Sequence, residues 1–212
     1  PTFEEYPNRF PTERSVIFVP QTEDFSYTAE DVIAYFTAHP ISCLVMINPD
    51  NPTGNYLDHG ERMKLLTWCD REQITLIWDE SFSDFADEPD NQMLTEELLG
   101  QYPKLIVVKS ISKSYGVPGL RLGVLASGNE TQIADLKKRA VIWNINLLPS
   151  ITCRSRRNIK KIMWRPWRSS ERNVPGWLAN WNRLRICGCI RPRQIISWSS
   201  FWMADVPAMW VA

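Results

Sequence analysis

The chain is 212 residues long, 44% hydrophobic, and carries 24 basic and 24 acidic side chains, so its formal net charge is zero. Such a length suits one or two domains with an ordinary soluble core. No apolar run approaches a membrane span and no signal-peptide pattern is present, so no membrane partner is expected.

In chain order, the first informative stretch is Val45-Met-Ile-Asn48-Pro-Asp-Asn51-Pro-Thr-Gly54, a short apolar run that breaks into a proline-rich turn. From Asp58 to Cys69 the apolar side chains recur at helical spacing, as a crossover between parallel strands requires. Ile74-Thr-Leu-Ile-Trp78 is a buried-strand pattern ending in Asp79. Residues 91–100 read as a short helix. Leu105-Ile-Val-Val108 is a third apolar run, and it leads into Ser110-Ile-Ser-Lys113-Ser-Tyr-Gly-Val-Pro-Gly-Leu-Arg121. An amphipathic helix begins at Thr131 and its pattern runs to Trp143. This alternation predicts an α/β fold, a mostly parallel sheet with helices on both faces. Open sheets of this kind present ligand sites at the C-terminal ends of their strands, which is where Asn51, Asp79 and Lys113 fall.

A lysine that acts as an amine nucleophile must be held where its charge can be lost. The glycines and small residues around Lys113 let backbone and ligand approach it closely. Arg121, eight residues on, can set a permanent cation opposite a phosphate, and serine hydroxyls such as Ser110 add hydrogen bonds. Taken singly, Lys113 reads as a solvated lysine, Asn51 as a turn residue and Asp79 as a helix cap. The three together, in this order, do not.

Asn51-Pro-Thr-Gly54, then Asp79-Glu-Ser-Phe82, then Ser110-Ile-Ser-Lys113 followed by Arg121, resembles the class I/II, fold-type-I pyridoxal-phosphate-dependent aminotransferases. The likeness is to the histidinol-phosphate aminotransferase and threonine-phosphate decarboxylase branch. It covers residues 1–146 and implies a partial large domain, incomplete at its N-terminus. By this resemblance Lys113 would form the Schiff base with pyridoxal 5'-phosphate and shuttle a proton between substrate carbon and cofactor. Asp79 would pair with the pyridinium nitrogen, and Asn51 would hydrogen-bond the ring 3-oxygen. Ser110 and Arg121 would hold the phosphate. Within Pro1-Thr-Phe-Glu-Glu-Tyr6, Tyr6 is the candidate for the ring that stacks on the cofactor, a core aromatic being the other reading. Phe82 stands where many aminotransferases have a tyrosine that supports the 3-oxygen; it cannot donate, and this form leans towards the decarboxylase-like branch. The implied activity of the intact protein is amino-group transfer between an amino acid and a 2-keto acid, in a homodimer with active sites at the interface. A decarboxylase of a phosphorylated amino acid is the rival reading. No nucleic acid is expected as a partner.

Five cysteines form no CxxC pair, and Cys187-Gly-Cys189 is too close for an ordinary metal pair. His39 and His59 read as surface loop residues, so no metal site is expected. The thiols fit a reducing cytoplasm. The zero net charge hides a division: residues 1–146 hold 12 Lys and Arg against 22 Asp and Glu, whereas residues 147–212 hold 12 against 2. Seven of the ten tryptophans also lie in that last stretch. Beyond Leu148 no period persists, and Pro149, Pro166, Pro175, Pro192 and Pro207 interrupt the remainder. One reading is a basic, Trp-rich binding tail on a non-catalytic domain; another is a disordered extension. The favoured reading is translation out of frame from residues 146–149 onward. Shifted to the third base of each codon, every tryptophan codon becomes a Leu, Met or Val codon followed by one beginning with G. In the same frame Ile190 to Trp198 permits Pro-Ser-Gln-Ala-Asn-Tyr-Phe-Leu, and Thr152 to Met163 permits a helical pattern. Residues 147–212 are therefore expected to form no stable domain, and the chain to be inactive alone.

Overall fold

The computed structural model describes residues 2–86, 92–114, 116, 118–140 and 195–197. Its helices begin where polar side chains satisfy the free N–H groups of a first turn. After the short α1 (Glu5–Arg9), Thr28 caps α2 (Ala29–Ala38): its hydroxyl accepts from the Asp31 N–H, and the Asp31 carboxylate accepts from the Thr28 N–H at 2.9 Å. Ala29, Val32 and Phe36 then share one buried face. Asp58 caps α3 (His59–Arg71), which buries Arg62, Leu65, Leu66, Trp68 and Cys69, as the apolar spacing of that stretch predicts.

Five strands lie side by side in chain order: β1 (Cys43–Ile47), β2 (Thr75–Asp79), β3 (Leu105–Ser110), β4 (Gly123–Ser127) and β5 (Ile195–Ser197). β1, β2 and β3 are parallel; β4 is antiparallel to β3, and β5 to β4. Side chains alternate between the two faces, so the sheet separates two apolar layers. Leu44, Met46, Leu76, Trp78, Leu105 and Val107 pack with α2, α3 and α4 (Glu96–Gln101). Cys43, Ile77, Ile106, Val108 and Leu125 pack with Ile133 and Leu136 of α6 (Glu130–Arg139). The α/β architecture with helices on both faces is thus the one the sequence pattern predicts.

Three details differ from the pattern. The helix expected over 91–100 is α4, which starts at Glu96 because the Thr95 hydroxyl accepts from the Leu98 N–H and caps it there. The helix expected from Thr131 starts at Glu130, capped by Asn129; residues 141–143 lie outside the described residues. β4 is a fully buried five-residue run that the sequence reading passed over. It ends in a close approach: a Cβ at Gly128 would stand 1.7 Å from the Leu99 carbonyl oxygen. Apart from β5, residues 147–212 lie outside the described residues, and with them the expectation of no stable domain there.

The register brings the ends of the parallel strands level. Ile47 pairs with Asp79, and Asp79 with Val108. Just beyond, the Asn48 N–H donates to the Asp79 carbonyl (2.8 Å) and the Glu80 N–H to the Val108 carbonyl (2.9 Å). Whatever follows each strand therefore emerges beside whatever follows its neighbour.

Candidate active site

At that edge lies a cavity of about 540 Å³. Asn51 enters it from the turn after β1, and Asp79 and Ser81 from the end of β2. Ser110, Ser112 and Lys113 enter from β3 and the single turn α5 (Ile111–Ser114), and Arg121 from the loop before β4. Two aromatic rings, Phe3 and Phe82, also line it. Five of the six residues singled out from the sequence, Asn51, Asp79, Ser110, Lys113 and Arg121, share this one cavity.

Tyr6 is the exception. Its side chain lines a separate, smaller cavity beside β1, and its hydroxyl donates to Asp79 Oδ2 at 2.6 Å. Burial, with the Asp79 carboxylate beside it, holds the phenol well above its ordinary value of 10. The aromatic that faces the larger cavity is Phe3, whose ring meets that of Tyr6 edge-on at 6.2 Å. Of the two aromatic rings in this segment, Phe3 lines the larger cavity and Tyr6 is engaged by the Asp79 carboxylate.

Asp79 is buried and held from two sides. Its Oδ1 accepts from the Ser81 N–H (2.9 Å) and the Ser81 hydroxyl (2.5 Å), opposite the Tyr6 bond on Oδ2. Ser81 in turn accepts from the Ser110 N–H at 2.9 Å, so the β2 and β3 ends are stitched through the carboxylate's own anchor.

Two lysines line the cavity, and the structure distinguishes them. Lys109 is buried, with its Nζ 3.0 Å from Asp84 Oδ1 and 3.1 Å from the Ser83 hydroxyl. Its ammonium is thus committed. Lys113 is exposed; its Nζ stands 5.5 Å from the Phe82 ring centroid and makes no hydrogen bond or ion pair among the described residues. Behind them Glu80 is fully buried, with Oε2 accepting from the Met93 N–H at 2.9 Å. Burial pushes its carboxyl above the ordinary value although Lys109 pulls the other way. Sequence reasoning missed Phe3, Ser81, Asp84 and Lys109. Ser81 alone carried a signal, as a small polar residue two after the buried aspartate.

Arg121 has φ 51°, in the left-handed region where an L-residue's Cβ crowds the following carbonyl oxygen at a cost on the order of 1 kcal/mol. A strained residue at the mouth of a cavity points to a functional constraint. With Ser110 and Lys113 it gives the cavity groups suited to an anion, in the same lining as the Asp79 carboxylate.

A family model described as aminotransferase class I and II matches residues 1–159. The chain belongs to that family. The match runs past Asn146, the limit of the sequence resemblance. Among family relatives, the L-serine phosphate decarboxylase of Sulfurospirillum multivorans is 35% identical over 150 residues, which is 69% of this chain and 38% of that protein. The histidinol-phosphate aminotransferase of Bacteroides fragilis is 35% identical over 126 residues, 59% of this chain and 34% of that protein. The structure of a decarboxylase from S. multivorans superposes with TM-score 0.63 at 31% identity, covering 77% of this chain and 47% of that one. The histidinol-phosphate aminotransferase from Clostridium acetobutylicum shares the fold at TM-score 0.59 and 23% identity, over 80% of this chain and 49% of that one. The chain therefore spans less than half the length of the relatives it matches. No helix among the described residues is long and apolar enough to cross a membrane.

Proposed function

We propose that the whole protein is a pyridoxal-phosphate enzyme that moves an amino group between an amino acid and a 2-keto acid. The observation that carries this reading is one cavity lined by an uncommitted lysine amine, a doubly anchored carboxylate, and a serine and an arginine suited to an anion. The residues present fit the cofactor. Small-molecule sites span roughly 300–1,000 Å³, and this one has about 540 Å³. An ionised carboxylate offers roughly four acceptor positions; Asp79 uses three of them on Ser81 and Tyr6, which leaves one for a ring N–H.

When bound, pyridoxal phosphate supplies an electron-accepting ring that stabilises negative charge at the substrate's α-carbon. Lys113 Nζ is the amine that would hold the cofactor through its aldehyde, and the group placed to take and return the substrate's α-proton. Asp79 would pair with the protonated ring nitrogen, and its carboxylate is held in place by donors from Ser81 and Tyr6. Ser110 and Arg121 would hold the phosphate, Asn51 the ring 3-oxygen, and Phe3 is the aromatic that would lie against the ring. A homodimer completes the reading for the intact protein, with a small amino acid and keto acid as substrates.

A second reading, decarboxylation of a phosphorylated amino acid, is favoured by Phe82, which offers no hydroxyl at the 3-oxygen, and by the likeness to an L-serine phosphate decarboxylase. The whole protein, given pyridoxal phosphate and a phosphorylated amino acid, decides between them: keto acid formed with a keto-acid acceptor supports transfer, and released carbon dioxide supports decarboxylation. Lys113→Ala should remove the visible absorption of the lysine-bound cofactor; its persistence on another lysine would refute the assignment. Beside this reading stands that of residues 147–212 as an out-of-frame segment, which resequencing the gene across the codons for residues 140–155 decides. Salt-sensitive binding of nucleic acid by the chain would instead support a basic binding tail.

A further inference from the structure

The buried Asp84 carboxylate joins two residues that bracket Lys113. Its Oδ1 accepts from Lys109 Nζ at 3.0 Å, and its Oδ2 accepts from the Ser114 hydroxyl in a short hydrogen bond. Lys109 lies four residues before Lys113 and Ser114 directly after it. Both ends of the segment 109–114 are thus tied to a single rigid group. That group sits five residues beyond Asp79, the last residue of β2, next to Ser83, which also accepts from Lys109.

The side chains of Lys109 and Asp84 are 1% and 5% exposed. A buried ion pair is weak evidence for added stability, because desolvation offsets most of the attraction; apolar side chains of similar volume often hold a core as well. What a carboxylate offers here is direction. Two oxygens with fixed geometry set both the strand end and the turn, and so set where the Lys113 amine stands relative to Asp79 across the span a cofactor ring must bridge.

We propose that Asp84 is a positioning residue for Lys113, acting through Lys109 and Ser114. The proposal rests on the reading of Lys113 as the aldehyde-binding amine. Reductive trapping tests it on the 212-residue chain without any turnover. Limiting pyridoxal phosphate, borohydride and peptide mass mapping report the relative rate at which each lysine is labelled. In the unsubstituted chain Lys113 should be labelled ahead of the exposed Lys64 and Lys138, and Lys109 should stay unlabelled. Ser114→Ala deletes one oxygen and leaves the ion pair intact. It should slow Lys113 about tenfold relative to those surface lysines, since a misplacement of about 1 Å costs on the order of a hundredfold at a reacting centre. Asp84→Asn should slow it further. Amide exchange on the same samples checks the fold through α3 and β2; if Asp84→Asn opens them, Ser114→Ala decides alone. An unchanged relative rate at Lys113 in a folded Ser114→Ala chain overturns the proposal. No preference for Lys113 in the unsubstituted chain overturns the reading of Lys113 itself, and the positioning role with it.

Discussion

Replacing Lys109 by Met removes a cation and keeps most of the stem's volume. Among the described residues Asp84 would then retain side-chain hydrogen bonds from Ser114 and Gln92, with its carboxylate still buried. Removing one partner of a buried pair costs about 3–5 kcal/mol, largely because the other charge is stranded. For a domain of this size each kcal/mol lowers Tm by about 3–4 °C, so Lys109→Met should lower it by about 10–20 °C. Adding Asp84→Leu takes away the stranded charge. The double variant should therefore lie within about 1–2 kcal/mol of the original, and the cycle should show a coupling of about 2 kcal/mol or more. Urea unfolding followed by far-ultraviolet circular dichroism measures all four corners. A loss below about 1 kcal/mol for Lys109→Met, or a double variant no better than the single, would refute the picture of a desolvated pair.

Gly128→Ala should destabilise by about 2–3 kcal/mol in the same assay, because overpacking forces backbone apart where the added Cβ would sit 1.7 Å from the Leu99 carbonyl oxygen; a neutral result would mean that β4 and α4 are not in contact. Tyr6 has a folded pKa above its unfolded value of 10, so the stability it contributes is present below pH 10 and lost as pH rises beyond it. Tyr6→Phe should remove that alkaline loss, and an unchanged alkaline limb of the stability profile would contradict the Asp79 contact. Glu80 is likewise raised, by burial, so its contribution is present below its ordinary value of 4.5 and falls as pH rises through the folded value. Glu80→Gln should accordingly flatten the acid-to-neutral slope of stability, and a slope left unchanged would show that Glu80 ionises freely in the folded chain.

Elements were legible where local and tertiary demands agree. β1, β2 and β3 are buried on both faces, so their continuous apolar runs stand out between polar turns, and α3 is long enough for its stripe to be read. β4 is just as buried, but it follows directly on the glycine-containing lysine motif and joins the sheet antiparallel. No crossover helix separates it from β3 to announce a strand. α2 is announced by Thr28 and Asp31, a capping box whose pattern is common enough to pass unremarked.

The site divides along a similar line. Asn51, Asp79, Ser110 and Lys113 were readable because each ends or follows a parallel strand, and parallel strands in register deliver their C-terminal residues to one edge; Arg121 was readable by its spacing from Lys113. Lys109 and Asp84 were not readable, because each is an ordinary charged residue until strand pairing buries them against each other across 25 positions. The choice between Phe3 and Tyr6 lay beyond sequence for another reason. Both rings sit on one short turn, in edge contact, and either could face the cavity. Partial burial decides it through the hydroxyl: a phenol withdrawn from water favours an acceptor, and Asp79 Oδ2 supplies one at 2.6 Å. Phe3, which has nothing to donate, is left to face the cavity, and the carboxylate gains a neutral donor that holds it without cancelling its charge.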